Sequence, residues 1–227
     1  MRRTSMQLAA AILVGGLAVA GCGTSLQLGA AATTGTGRIT SAALTNQVAN
    51  LTGAYRADKA KGISPKMNTG QIPQQVLTWL IKFQVWDRVA QQHGIAVTPA
   101  NIQTQLNVLA ASAKQNQVST DVFVSAAGAL PPDLLPQIGR YAAILQKLED
   151  RFDGGKVPAS QAAQTALNNR ALHAQCLAAK SLGIRVNPQY GELDYTSFTV
   201  VPVPATLSGA SGPKAKQAGQ PTLTPPC

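Results

Sequence analysis

Between residues 71 and 93, apolar side chains recur so densely that they cover most of a helix's circumference: Val76, Leu77, Trp79, Leu80, Ile81, Phe83, Val85, Trp86 and Val89. A helix at the surface of a globular protein keeps such residues to one face, whereas a helix covered by neighbours carries them most of the way round. Pro73 suits the first turn, because its φ is already fixed and its missing N–H would have had no partner there. Gly94 is the residue type that helices favour just past their end. The segment is therefore predicted to be a central helix on which the other elements pack. It contains both tryptophans of the chain. Trp79, Phe83 and Trp86 have two readings: plain core, the usual fate of such residues, or in part the floor of a groove for another polypeptide.

The flanking pattern predicts further helices and a little β-structure. Residues 30–34 and 38–40, either side of Gly35-Thr36-Gly37, read as a small hairpin. Thr40 or Ser41 then caps a helix whose apolar positions Leu44, Val48, Leu51 and Tyr55 fall at helical spacing. A polar loop follows over residues 59–70. Thr98-Pro99 opens a helix carrying Ile102, Leu106 and Leu109; a short helix is expected over 119–128. The next runs from about 133 to 152, with Pro136 in its first turn and Ile138, Tyr141, Ile144, Leu145 and Leu148 inward. Asp153-Gly154-Gly155 breaks the chain. A last Ala-rich helix spans 160–182 and stops at Gly183. Residues 184–191 look extended and long enough to pair with the N-terminal hairpin, closing the domain by joining its two ends.

The first 22 residues predict an address. Arg2 and Arg3 lead an apolar stretch over residues 6–20. Spanning a bilayer core of about 30 Å takes roughly 20 apolar residues, so this stretch reads as a secretory signal and not as an anchor helix. It ends Val19-Ala20-Gly21-Cys22, which resembles the bacterial lipobox. The expectation is cleavage before Cys22 and acylation of its thiol by a diacylglyceryl group carrying chains such as palmitate. Buried methylenes contribute about 0.8 kcal/mol each, so two or more chains hold a protein stably on a bilayer.

Charge and composition narrow the chemistry. The formal net charge is +10, of which Arg2 and Arg3 lie in the leader, leaving +8. The remaining cations are scattered, without the aromatic interleaving of a nucleic-acid surface. His93 and His173 are the two histidines. His93 falls in the last turn of the central helix, where a cation is favourable against the helix dipole. His173 lies three residues before Cys176, but no base-orienting partner or further metal ligand accompanies the pair. Cys176 and Cys227 remain once Cys22 is acylated, and in an exported protein their pairing as a disulfide stays open. Glu149, Asp150 and Asp153 form an acidic helix end, short of the six or more oxygens that calcium takes. Glu192-x-Asp194 is an equally weak signal. There is no phosphate-cradling glycine loop and no hydrolase serine elbow. No catalytic, metal or cofactor-binding residue is expected, and no cofactor.

Four stretches carry a family resemblance: Arg38-Ile39-Thr40 leading into a helix; the apolar helix from 76 to 89 running into Gly94-Ile95-Ala96-Val97-Thr98; the helix around 141–148; and Val186-Asn187-Pro188-Gln189-Tyr190-Gly191. Over about residues 30–195 the chain resembles the N-terminal domain of the SurA/PrsA-type foldases, in the form found in small actinobacterial lipoproteins. The resemblance implies a mainly helical domain that cradles unfolded exported polypeptides. In two-module relatives a parvulin prolyl-isomerase domain is inserted between helices, about where residues 153–160 stand here. So short a link cannot contain a domain of about 100 residues.

The sequence thus predicts a signal peptide over 1–21, a tether over 22–29, a SurA N-terminal-like helical domain over 30–200 and a Pro/Ala/Gly/Lys-rich disordered tail over 201–227. The expected function is a lipid-anchored, non-enzymatic chaperone on the extracytoplasmic face of the cell membrane. Its expected partners are the bilayer, through acylated Cys22, and unfolded exported polypeptides. The alternative is an envelope adaptor that docks one folded partner.

Overall fold

The computed structural model describes residues 29–35 and 37–203; the leader, Cys22 and Cys227 lie outside the described residues. In chain order the described elements are β1 (Ala30–Thr34), β2 (Gly37–Thr40), α1 (Ser41–Ala60), α2 (Ile72–Gln92), α3 (Pro99–Gln115), α4 (Thr120–Val122), α5 (Leu135–Asp153), α6 (Gln161–Leu182), β3 (Arg185–Val186), β4 (Glu192–Asp194) and β5 (Thr199–Val201). The protein is mainly helical, as expected.

Helix α2 is the centre of the packing. It lies against α1, α5, α6, β1 and β5, and from Ile72 to Ala90 none of its residues is fully exposed. Val76, Leu77, Ile81, Val85 and Val89 are completely buried, each contributing about 1.5–3 kcal/mol relative to exposure. The apolar pattern is met by neighbours over most of the helix's circumference.

The helix boundaries follow side-chain chemistry. The Thr40 hydroxyl accepts from Ala43 N at 3.0 Å and starts α1. Thr98 and Asn101 form a reciprocal capping box that starts α3. Ser160 accepts from Ala163 N at 3.2 Å to start α6. Helices α5 and α6 stop at Gly154 and Gly183, both left-handed. One expectation is revised: residues 119–128 are not a plain short helix. The three residues of α4 continue as a π-helical turn over Phe123–Ala127. This turn carries a fully buried Ser125 whose hydroxyl donates to Asp58 Oδ2 at 2.6 Å. Asp58 is itself buried on α1, so the wider turn supplies a partner to a carboxylate that would otherwise be costly to bury.

The two ends of the domain meet in a three-stranded sheet of order β2-β1-β3. Strand β3 pairs antiparallel with β1, Ala32 opposite Val186 and Thr33 opposite Arg185. The Asn187 side chain fastens the join by donating to Ala30 O at 3.1 Å. A second hairpin, β4–β5, was not foreseen. It packs on α2 through buried Phe198 and Val200, and Val200 N donates to the Thr78 hydroxyl at 2.8 Å. Strand β5 ends at Val201, one residue past the expected end of the domain. Gly191 is required at its base: its φ is +131° and a Cβ there would stand 2.2 Å from Val201 O. Its turn is held by Asp194, whose carboxylate accepts from Thr196 N and the Ser197 hydroxyl, both at 2.8 Å. These bonds, the Ser197 hydroxyl foremost, keep the Asp194 pKa below the usual carboxylate value.

Helix α3 is the least embedded of the long helices, with Ala113 its one buried residue. It reaches the core by approaching α5 closely at Gly139, where a Cβ would lie 2.9 Å from Leu106 Cγ and 3.0 Å from Ile102 Cγ2. Gly139→Ala gains about 1 kcal/mol of helix propensity and incurs about 1–3 kcal/mol of overpacking against branched carbons. Overpacking wins, so the urea midpoint is expected to fall modestly; an unchanged or higher midpoint would show that α3 moves aside freely.

Candidate functional site

The aromatic row of α2 divides between core and surface. Trp86 is 2% exposed, and its indole N–H donates to Gln175 Oε1 on α6 at 3.0 Å. That bond satisfies two polar groups inside the core, and Trp86 has no surface to offer a partner. Trp79 and Phe83, one helical turn apart, are half-buried, with ring centroids 5.8 Å apart. Tyr141 from α5 meets both tryptophans edge-on, at 5.7 Å from Trp79 and 5.4 Å from Trp86. Such edge-to-face pairs add about 0.5–1.5 kcal/mol beyond burial, so the half-exposed rings are held on a rigid base.

A cation accompanies the patch. Lys82 Nζ lies 4.4 Å from the Trp79 ring centroid, and burial lowers its pKa below the usual lysine value. Tyr141 is raised, first by burial and then by the Glu149 carboxylate, and so remains a neutral phenol at physiological pH. The arrangement combines apolar area, a π face and one ammonium. It suits non-directional burial of an extended apolar segment.

The other sequence candidates fall elsewhere. His93 and His173 converge: with Phe152, Asn169, Arg170, Ala174 and Leu177 they line a cleft of about 420 Å³ between the ends of α2 and α5 and the middle of α6. The His93 ring meets Phe152 edge-on at 5.8 Å, and the Arg170 guanidinium lies 4.5 Å from the Phe152 centroid. Cys176 is buried and is half of a disulfide, so its sulfur is not the nucleophile of a Cys/His pair. Glu149 is raised by burial first, then by Asp150 and Asp153, the signature of a crowded acidic helix end. Among the described residues no group of three or more His, Cys, Asp or Glu is placed to hold a metal ion. A further cleft of about 530 Å³ opens between α1 and the loop after it, lined by Tyr55, Arg56, Lys59, Pro65 and Met67.

Among known families, the model of the SurA-like N-terminal domain matches residues 1–129, more than half of the chain. The chain belongs to the SurA-like N-terminal domain family. Neither a curated protein nor a solved structure matches it. The SurA-like domain is a chaperone-type module and is not catalytic by itself. The match takes in α1, α2 and α3 and stops short of α5 and α6. Helix α2, the carrier of Trp79 and Phe83, therefore lies inside it, while Tyr141 and the disulfide-bonded Cys176 lie outside.

Sequence reasoning missed two members of the patch. Lys82 stands three residues after Trp79, a spacing that puts both on one helix face, and this signal was available. Tyr141 is more than fifty positions away on another helix, and nothing in the sequence pairs it with either tryptophan. The convergence of the two histidines is likewise a product of the fold.

Proposed function

We propose that this protein is a lipid-anchored extracytoplasmic chaperone that holds unfolded secreted polypeptides without isomerising them. The observation that carries the reading is the half-exposed Trp79–Phe83 pair, braced by Tyr141 and topped by Lys82, on the central helix of a SurA-like domain. Apolar burial contributes about 25 cal/mol per Å² without directional demands, so such a surface accepts many sequences. The Lys82 ammonium over Trp79 gives added affinity for carboxylates near apolar residues in a client. The link between α5 and α6 is residues 154–160, which supports a holding role without an inserted catalytic module. Purified protein is expected to leave the cis/trans relaxation of a proline-containing peptide at its uncatalysed rate. It is also expected to slow the aggregation of an unfolded exported client.

The anchoring half of the proposal rests on Val19-Ala20-Gly21-Cys22. Among the described residues no helix is long and apolar enough to cross a membrane. Acyl chains on Cys22 are the proposed attachment. Wild-type protein from cells is expected to partition into the detergent phase on Triton X-114 separation, and Cys22→Ala into the aqueous phase. Cys22→Ala protein that stays in the detergent phase would show that something other than this thiol makes the attachment.

A further inference from the structure

The cleft between α1 and the loop after it is built on a side chain that the fold leaves without a partner. Helix α1 buries Leu51, Tyr55 and Asp58, whose spacings of four and three keep them on one side of the helix. Asp58 is satisfied by the Ser125 hydroxyl. Tyr55 is 4% exposed, yet its buried hydroxyl has no hydrogen-bond partner among the described residues. A buried polar group left unpaired is a net cost, so a phenylalanine would serve the core better than this tyrosine does. Burial first, and then the Asp58 carboxylate, raise the Tyr55 pKa above the usual phenol value, which keeps the hydroxyl a donor at physiological pH. Tyr55 lines the cleft of about 530 Å³, within the range of about 300–1,000 Å³ usual for small-molecule sites. Beside it stand Arg56 and Lys59, both exposed and in no ion pair among the described residues. Ser64 adds a hydroxyl, Pro65 and Met67 add apolar wall, and no carboxylate is among the lining residues. The loop side is fixed by its backbone: Lys61 N and Ile63 N donate to Asp58 O at 2.9 and 3.0 Å, and Lys66 N donates to Ala126 O at 3.2 Å.

We propose that this cleft binds an organic monocarboxylate with a compact apolar body. The carboxylate accepts from the Tyr55 hydroxyl and pairs with Arg56 and Lys59, and the body lies against Pro65 and Met67. The charge is complementary, and a hydrogen bond from a buried donor to an ionised acceptor is about twice as strong as a neutral one. The Asp58 carboxylate is close enough to act on Tyr55, which favours a single negative charge over a phosphate dianion. A free organic acid and the C-terminal residue of a polypeptide both present this chemistry. The site shares no residue with the Trp79–Phe83 patch, so it stands or falls independently of client holding there.

Titration calorimetry of the full-length protein tests this with four probes: hexanoate, N-acetyl-alanyl-leucine with a free C-terminus, the same dipeptide as its C-terminal amide, and inorganic phosphate. At least one of the two acids is expected to saturate the protein, with the amide about tenfold weaker or worse and phosphate unable to displace the acid. Tighter binding of hexanoate would make a free acid the ligand; tighter binding of the dipeptide acid would make it a chain terminus. Tyr55→Phe is expected to weaken the acid about tenfold while its urea midpoint without ligand stays level or rises. A lower midpoint would show that the hydroxyl serves the fold, and would overturn the proposal. Arg56→Gln/Lys59→Gln changes two exposed side chains, so it is expected to fold normally and to bind the acid at least tenfold more weakly. Neither acid binding, acid and amide binding alike, phosphate displacing the acid, or full affinity in the folded Arg56→Gln/Lys59→Gln protein would each overturn the proposal.

Discussion

Replacing Trp86 by alanine is expected to unfold this protein, or nearly so. The side chain is 2% exposed, and removing a buried tryptophan costs about 3–5 kcal/mol in lost burial and residual cavity. The same change leaves the Gln175 amide, 5% exposed, without its indole donor, which adds about 1–3 kcal/mol. Against a typical total stability of 5–15 kcal/mol, the sum takes most of the margin. Trp86→Phe separates the contributions, since it keeps a ring in the cavity and loses the N–H; its cost should be well under half that of the alanine variant. Urea unfolding followed by far-UV circular dichroism measures both. A Trp86→Ala protein with nearly wild-type stability would mean that α2 is not the centre of the core.

Replacing Trp79 and Phe83 together by alanine is expected to do the reverse: the fold survives and client binding is lost. Both rings are half-buried, so the stability cost is well below that of Trp86→Ala. In the bound state the two rings would be covered. Losing about 3 kcal/mol of apolar contact and cation–π attraction weakens binding about a hundredfold, at 1.4 kcal/mol per factor of ten. Fluorescence anisotropy of a labelled, permanently unfolded secretory peptide reads the affinity, and the urea midpoint of the same variant reads the fold. Unchanged affinity in a folded double variant would move the client surface off α2.

The contrast between these variants marks what was legible in the sequence. Which residues of α2 are apolar could be read directly, and the crowding from Val76 to Val89 announced a helix covered over most of its circumference. Its ends were legible because Pro73 and Gly94 act locally. So was the strand pairing that closes the domain, since Val186-Asn187 is β-branched and turn-forming beside a hairpin of matching length. What could not be read is which aromatic faces outward. Trp79 and Trp86 lie seven residues apart, nearly on one helical face, and Tyr141 of α5 meets both; what sets Trp86 apart is Gln175, which arrives from α6. The β4–β5 hairpin was missed because three-residue strands carry almost no periodic signal, and what holds them, the Asp194 turn and the Val200–Thr78 bond, is tertiary. The disulfide state of Cys176 was left open by spacing alone.

The account stands on the Trp79–Phe83 patch holding unfolded clients, and light scattering tests this most directly. A reduced, unfolded exported protein is diluted into buffer with the full-length protein, with its Trp79→Ala/Phe83→Ala variant, or with neither. The account predicts that aggregation is suppressed near equimolar ratio by the wild type and not by the folded double variant. Aggregation that proceeds unchanged beside a folded wild-type protein would contradict it.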